Sequence, residues 1–253
     1  MQKNEERFTD KANIYKQFRP SYSKELIEYL YSQAGFNQES IIADIGSGTG
    51  ILSRLLIERG SLVYCVEPND DMRQTAENDL SEFDNFISIN SPAENLSLQN
   101  ESVNFVTVAQ AFHWFNMEMF RAECQRILKP SGKVVLIWNE RDYQNEIVKK
   151  DFIIREKYAI DKKGLGIGGG FKHEYQKFFI DGIFDYKKFN NDLKFNKDGF
   201  IGRNLSASYA PKKEQHPEKY HGLVNELSEL FDKYSIDGIL NYPHFSECYI
   251  GRV

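Results

Sequence analysis

Asp44-Ile45-Gly46-Ser47-Gly48-Thr49-Gly50 sets a carboxylate before three glycines at alternate positions, directly after the apolar run Ile41–Ile45. Glycines let a backbone turn sharply and let a ligand lie against the peptide plane, where a Cβ would clash. The helical pattern that follows, Ile51, Leu52, Leu55 and Leu56, points its N-terminal amides into the same place. The spacing restricts the ligand. A dinucleotide fingerprint runs G-x-G-x-x-G, whereas this one runs Gly46-x-Gly48-x-Gly50, and Asp44 disfavours a pyrophosphate while favouring an ammonium group. Glu67 closes the next apolar run, Leu62–Val66, and lies 21 residues beyond Gly46. At that distance a carboxylate accepts both ribose hydroxyls. The pattern asks for a nucleoside that carries an amino group and no pyrophosphate.

The elements that must position these residues alternate through the first 139 positions. Short β-branched runs at Ile41–Ile45, Leu62–Val66, Phe86–Ile89, Val103–Ala109 and 133–138 read as strands. Between them lie helical faces at 51–56, stopped by Gly60, and at Met119, Phe120, Cys124, Ile127 and Leu128, stopped by Lys129-Pro130-Ser131-Gly132. A further helix is expected at 23–34. Strands joined by helices of this length pair in parallel through right-handed crossovers, which makes the expected fold α/β with a doubly wound sheet. After Asn139 the rhythm breaks. A charged helix at 141–163, a glycine-rich loop at 164–170, a loose strand at 185–195, an amphipathic helix at 213–234 and a strand at 239–250 follow, with Pro243 predicting an edge or a bulge. The expected organisation is a core at 1–140 with an N-terminal lid segment, an inserted cap at 141–215, and a C-terminal helix and strand at 216–253 completing the core sheet.

Composition narrows the class. Of 253 residues, 41% are hydrophobic and 27% charged, which is ordinary globular usage and disfavours disorder or coiled coil. No apolar run approaches the ~18 residues of a membrane span, and the polar opening MQKNEERFTDKAN has no apolar leader stretch. Three cysteines, Cys65, Cys124 and Cys248, read as free thiols of a reducing cytoplasm. The net charge of −5 argues against nucleic acid as a partner. The charge is uneven, however: positions 141–219 carry 17 basic and 12 acidic residues. That block either steers a small acidic ligand or solvates an insertion.

Other candidates have two readings each. His113 is a general base or positioning group, or a hydrogen-bonded structural histidine; Trp114 and Phe115 are walls of a reaction site or part of the core. Ser206, Ser208 and Tyr209 bind a substrate carboxylate or cap a helix end. Glycines at 164–170 lack a preceding strand and read as a loop rather than a phosphate cradle. His216 and His221 are not spaced for one helical face, and no metal is expected.

S-adenosylmethionine meets the requirements of the glycine loop and Glu67. The chain resembles the class I S-adenosylmethionine-dependent methyltransferases of the type-11 branch, most of all the trans-aconitate methyltransferase-like proteins. The likeness is carried by Phe8…Ala12…Tyr15…Phe18-Arg19-Pro20, the 44–50 loop, Val66-Glu67-Pro68-Asn69…Met72, Ser91-Pro92-Ala93-Glu94-Asn95-Leu96, Ala109-Gln110-Ala111-Phe112-His113-Trp114-Phe115 and Leu128-Lys129-Pro130-Ser131-Gly132, and less tightly by 204–211. It implies a Rossmann-like, mostly parallel seven-stranded sheet whose last strand is antiparallel. It also implies roles for single residues. Gly46, Ser47 and Gly48 line the methionine part, Asp44 orders the loop, and Glu67 holds the ribose, with Pro68 beside it. Met72 covers adenine, and Ala93 and Glu94 meet its amine. Gln110 and Ala111, with Phe112 following, offer carbonyls to the ammonium, and Tyr15 and Arg19 close over the carboxylate.

The expected function is methyl transfer by in-line displacement to a small-molecule acceptor, a carboxylic acid among the candidates, leaving S-adenosylhomocysteine. An NAD-dependent oxidoreductase and a non-catalytic S-adenosylmethionine-binding protein are the alternatives. The glycine spacing and Asp44 weigh against the first of these.

Overall fold

Residues Ile41–Ile45 (β1) are apolar on both faces except at Asp44, as a central strand buried on two sides requires. In a computed structural model, which describes residues 20–161, 165, 172–207 and 209–253, β1 is an interior strand, third of seven in one sheet. Following β1 come helix Ile51–Ile57 (α2; α1 is Lys24–Ser32), strand Leu62–Val66 (β2), helix Asp70–Leu80 (α3), strand Phe86–Ile89 (β3) and strand Val103–Ala109 (β4). Helix Met117–Ile127 (α4), strand Leu128–Arg141 (β5), helix Glu146–Tyr158 (α5), helix Lys172–Phe178 (α6) and strand Asp185–Asn190 (β6) continue the chain. It ends with strand Leu193–Phe195 (β7), helices Lys197–Leu205 (α7) and Pro217–Tyr234 (α8), and strands Leu240–Tyr242 (β8) and His244–Gly251 (β9). Sheet order is β3-β2-β1-β4-β5-β9-β6, and β1 pairs in parallel with both β2 and β4. The winding direction reverses between β1 and β4, the place where an open α/β sheet binds ligands.

Period-two alternation divides the core between the two faces of the sheet. Ala43, Ile45, Val106, Val108, Val134 and Leu136 pack with Phe120, Cys124 and Ile127 of α4. Ile42, Val63, Phe105, Val135 and Ile137 pack instead with Leu26 and Leu30 of α1 and Leu52 and Leu56 of α2. All three cysteines are free and buried. No helix among the described residues is long and apolar enough to cross a membrane.

The chain divides into two compact units: Met1–Asn139 with Phe171–Phe189 and Ser246–Val253, and Glu140–Gly170 with Asn190–Phe245. This partition differs from the expected one. Residues 171–189 go with the first unit, while α8, expected beside the core sheet, has its apolar face in the second unit's own core through Leu223, Leu227, Leu230 and Phe231. Two expected strands are each split. Residues 185–195 become β6 and β7, and 239–250 become β8 and β9, with Pro243 at the break because it has no N–H to donate to a ladder. β7 and β8 form a separate antiparallel pair, and β9 sits inside the large sheet between β5 and β6. The Lys129-Pro130-Ser131-Gly132 stop is a register shift within the β4–β5 pairing, where Val103 faces Leu128 and Phe105 faces Lys133.

Candidate active site

Three glycines of the β1–α2 loop have left-handed backbones, and two of them show different needs. At Gly46 (φ 66°) a Cβ would lie 2.6 Å from Ala111 Cβ and 3.2 Å from the Phe115 ring, so the loop after β4 can approach only a glycine. At Gly48 (φ 58°) a Cβ would meet nothing within 4 Å. The first glycine thus admits the protein's own loop, and the second leaves an open face. The N–H groups of Gly46 and Ser47 both donate to the Val66 carbonyl, at 2.8 and 3.1 Å, which ties the loop to the end of β2.

Glu67, the first residue after β2, completes that tie. Its Oε2 accepts the Gly48 N–H at 3.0 Å and its Oε1 accepts the Asn69 N–H at 2.8 Å. Burial raises the carboxyl's pKa, against the two backbone hydrogen bonds and the Arg73 guanidinium, which lower it. Each oxygen keeps a lone pair beyond its backbone donor. Asn69 also caps α3 by accepting the Met72 N–H at 3.0 Å, and Met72 itself is buried.

Asp44, the carboxylate before the glycines, is held inside the core. It is 1% exposed, and its oxygens accept the Ser53 hydroxyl at 2.6 Å and the Thr107 hydroxyl at 2.8 Å. It fastens β1 to α2 and β4 and is closed to direct contact with a ligand's ammonium. Burial pushes its carboxyl up to about 6 in spite of the two hydroxyl donors.

At the end of β4, Gln110 takes a left-handed backbone (φ 60°), a conformation costly for a side chain and common at ligand sites. Its amide donates to Ile137 O at 3.0 Å and its side chain to Asn139 O at 3.2 Å. Asn139, which the sequence did not single out, also binds the Pro20 and Ser21 carbonyls through Nδ2 at 3.3 and 3.2 Å. Its Oδ1 accepts the Ser246 hydroxyl at 2.6 Å, and Ser246 Oγ accepts the Ser23 N–H at 2.9 Å. The entry of α1 is thereby fixed to the end of β4. Tyr15 and Arg19 lie outside the described residues.

Residues 112–114 form a 3-10 turn. Phe112, expected at the cofactor, is buried in the core, its ring edge-on to Phe120, Tyr175 and Phe178. His113 is exposed, with its ring centroid 4.5 Å from that of Trp114 and 5.4 Å from that of Trp138. Phe115 is half-buried against Phe120. Ala93 is buried, Pro68 is half-buried beside Glu67, and Glu94 Oε1 accepts the Asn116 N–H at 2.7 Å. One Glu94 oxygen is thus committed to the start of α4.

Of the candidates in the second unit, Ser206 caps α7 through a 2.8 Å bond from its hydroxyl to Arg203 O, and Ser208 lies outside the described residues. The Tyr209 hydroxyl accepts Arg155 Nη1 at 2.9 Å.

Residues 43–136, which span β1 to β5 and hold the glycine loop, Glu67 and the turn after β4, match the family described as Methyltransferase domain. The match covers 94 of the chain's 253 residues. An uncharacterized methyltransferase of Mycobacterium tuberculosis is 35% identical over 135 residues, 53% of each chain. A malonyl-[acyl-carrier protein] O-methyltransferase of a Marinomonas species is 28% identical over 135 residues, 52% of this chain and 50% of that one. The chain spans about half the length of the curated relatives it matches. A putative type II methyltransferase from Anaeromyxobacter dehalogenans shares the fold, with a TM-score of 0.70 at 20% identity over 93% of this chain and 98% of that one.

A methyltransferase domain of this family implies S-adenosylmethionine, and the residues present fit it. The Gly48 face is open, Glu67 retains acceptor capacity, and the buried Ser47 Oγ and Thr49 Oγ1 of the same loop have no hydrogen-bond partner among the described residues. Unsatisfied buried hydroxyls are costly unless a ligand or water engages them.

Proposed function

We propose that the protein moves the methyl group of S-adenosylmethionine to a small-molecule acceptor that carries a carboxylic acid, and releases S-adenosylhomocysteine. The observation that carries this reading is the Glu67–Gly48 junction, where an acid with spare lone pairs sits on the open glycine of a methyltransferase domain. When bound, the cofactor supplies an electrophilic sulfonium methyl for in-line displacement.

The chain's own residues supply the rest. Glu67 accepts the ribose hydroxyls, while Gln110 and Ala111 present carbonyls to the ammonium from a backbone preset by the left-handed Gln110. Holding the reactants aligned is worth roughly 7–11 kcal/mol of barrier, so little else is asked of the protein. Trp114 and Phe115 exclude water beside the transferring carbon. His113 orients an acceptor carboxylate, which needs no base, or takes the proton of a hydroxyl acceptor.

An acid acceptor is supported by the likeness to trans-aconitate methyltransferase-like proteins, by the basic block at 141–219, and by the Marinomonas relative named for O-methyl transfer to a malonyl group. Three free buried thiols suit a reducing compartment such as the cytoplasm.

Calorimetry with S-adenosylhomocysteine and NADH, followed by single-turnover transfer of a labelled methyl to a panel of carboxylic acids and their alcohols, tests the reading. Micromolar binding of the first ligand with label recovered as a methyl ester is expected. Binding of NADH alone would overturn the cofactor, and label found only on alcohols would overturn the acid.

A further inference from the structure

We infer that the second unit holds a binding site for a small carboxylate anion, built from Arg141, Arg155, Tyr209 and His244. The inference concerns that unit's own residues and stands apart from the methyl-transfer reading. Arg155 is 2% exposed and Asp151 is 1% exposed, and they form an ion pair at 2.9 Å through Nε and Oδ2. The Tyr242 hydroxyl donates to the same Oδ2 at 2.7 Å, and Arg155 Nη1 donates to Tyr209 OH at 2.9 Å. Those bonds leave a remainder. Arg155 Nη2, Arg141 Nε, His244 Nδ1 and Asp151 Oδ1 are shut away from solvent with no hydrogen-bond partner among the described residues.

Charge is out of balance in the same place. Arg141 and Arg155 influence each other electrostatically, and Asp151 is the carboxylate that acts on Arg141 and pairs with Arg155, so two guanidinium groups draw on one acid. Asp192 accepts the His244 N–H and Asn241 Nδ2 through its two oxygens. Burial, then Arg203 and Arg141, push the His244 imidazole down to about 2, so it is neutral and adds a polar contact without adding charge.

A buried cation without a counter-charge is strongly destabilising, and water relieves the missing hydrogen bonds but not the charge. A planar carboxylate relieves both, because a guanidinium fork matches its two oxygens. The leftover acceptor, Asp151 Oδ1, suits a hydroxyl of the same ligand. Sequence distance hid this cluster: Arg141, Arg155, Tyr209 and His244 come from four segments with no shared motif.

The test is thermal unfolding of the full chain titrated with malonate, succinate and citrate, against sulfate and chloride at matched ionic strength. A saturable rise in melting temperature with at least one carboxylate, beyond that with sulfate or chloride, is expected. Arg155→Met and Arg141→Gln should each weaken that binding tenfold or more and leave the S-adenosylhomocysteine affinity unchanged. Arg141→Gln keeps the Arg155–Asp151 pair and remains readable if Arg155→Met does not fold. Carboxylates no better than chloride, a preference for sulfate, or a carboxylate response that survives Arg141→Gln would each overturn the inference.

Discussion

Glu67 Oε2 and Gly48 N lie 3.0 Å apart, so the acid that ends β2 is also a strut of the glycine loop after β1. One side chain therefore orders the loop and, on the function proposed above, also offers acceptors to a ribose. Glu67→Gln preserves shape but replaces one oxygen by an amide that cannot accept the Gly48 or Asn69 N–H. The S-adenosylhomocysteine dissociation constant, read by calorimetry, should rise ten- to hundredfold, about 1.4–2.8 kcal/mol. An unchanged constant would separate Glu67 from the cofactor.

Gly46 and Gly48 should respond differently to the same substitution. Gly46→Ala forces a Cβ to within 2.6 Å of Ala111 Cβ in a left-handed backbone, so a stability loss of more than ~2 kcal/mol is expected in urea unfolding. Gly48→Ala meets no protein atom and should cost only ~1 kcal/mol of backbone strain, while cofactor affinity falls by tenfold or more. Equal stability losses with equal affinities would remove the distinction between packing glycine and ligand glycine.

Asp44 makes stability depend on pH with a definite sign. Its carboxyl is raised from 3.8 to about 6 in the folded chain, so the folded state holds that proton more tightly than the unfolded one. The stabilisation is fully present below about pH 4 and is lost as pH rises through about 6. It amounts to on the order of 3 kcal/mol. Asp44→Asn removes this dependence, and rotated Ser53 and Thr107 hydroxyls can still bond the amide. The unfolding free energy of the variant relative to wild type should therefore improve as the pH rises from about 4 to 7. A difference that stays flat over that interval would contradict the buried titration.

Much of the fold was legible because its central strands are buried on both faces. β1 and β4 read directly as apolar, β-branched runs, while β3, at the sheet edge with Ile87 exposed, is legible from its two isoleucines. Helix α3 went unread because five of its eleven residues are charged, and α7 because Gly199 and Gly202 weaken a nine-residue pattern, although Asn69 and Asn196 cap them and were available as signals. In the site, Glu67 was legible through its spacing from Gly46. The partners of Asp44 were not: Thr107 lies 63 residues away, and only sheet order brings it alongside. Asn139 was hidden for the same reason, its partners coming from both ends of the chain.

Asn139 should matter more than a strand-end asparagine usually does. Its side chain joins the Pro20 and Ser21 carbonyls to Ser246, and its carbonyl receives Gln110. Asn139→Ala strands the Pro20 and Ser21 carbonyls and the Ser246 hydroxyl, while the Gln110 bond to the backbone carbonyl stays, at a cost of about 1–3 kcal/mol. The entry of α1 loosens with it, and protection of the Ser23 amide in hydrogen exchange should fall. Unchanged protection at Ser23 would show that the network carries no tension between the two ends of the chain.

His113 separates a chemical role from an architectural one. Its ring is exposed and rests beside Trp114 and Trp138, so its removal leaves no core cavity. His113→Ala should keep the melting temperature within a few degrees and the S-adenosylhomocysteine affinity within threefold. Turnover on the accepted substrate should fall 10²- to 10⁴-fold if the imidazole takes a proton, as general-base catalysis supplies that much. A carboxylate acceptor, which is already ionised at neutral pH, would instead lose affinity while keeping most of the turnover number. The pH profile decides between them: loss of the acid limb in the variant marks a base. If kcat, KM and that profile are all unchanged, His113 takes no part in the reaction.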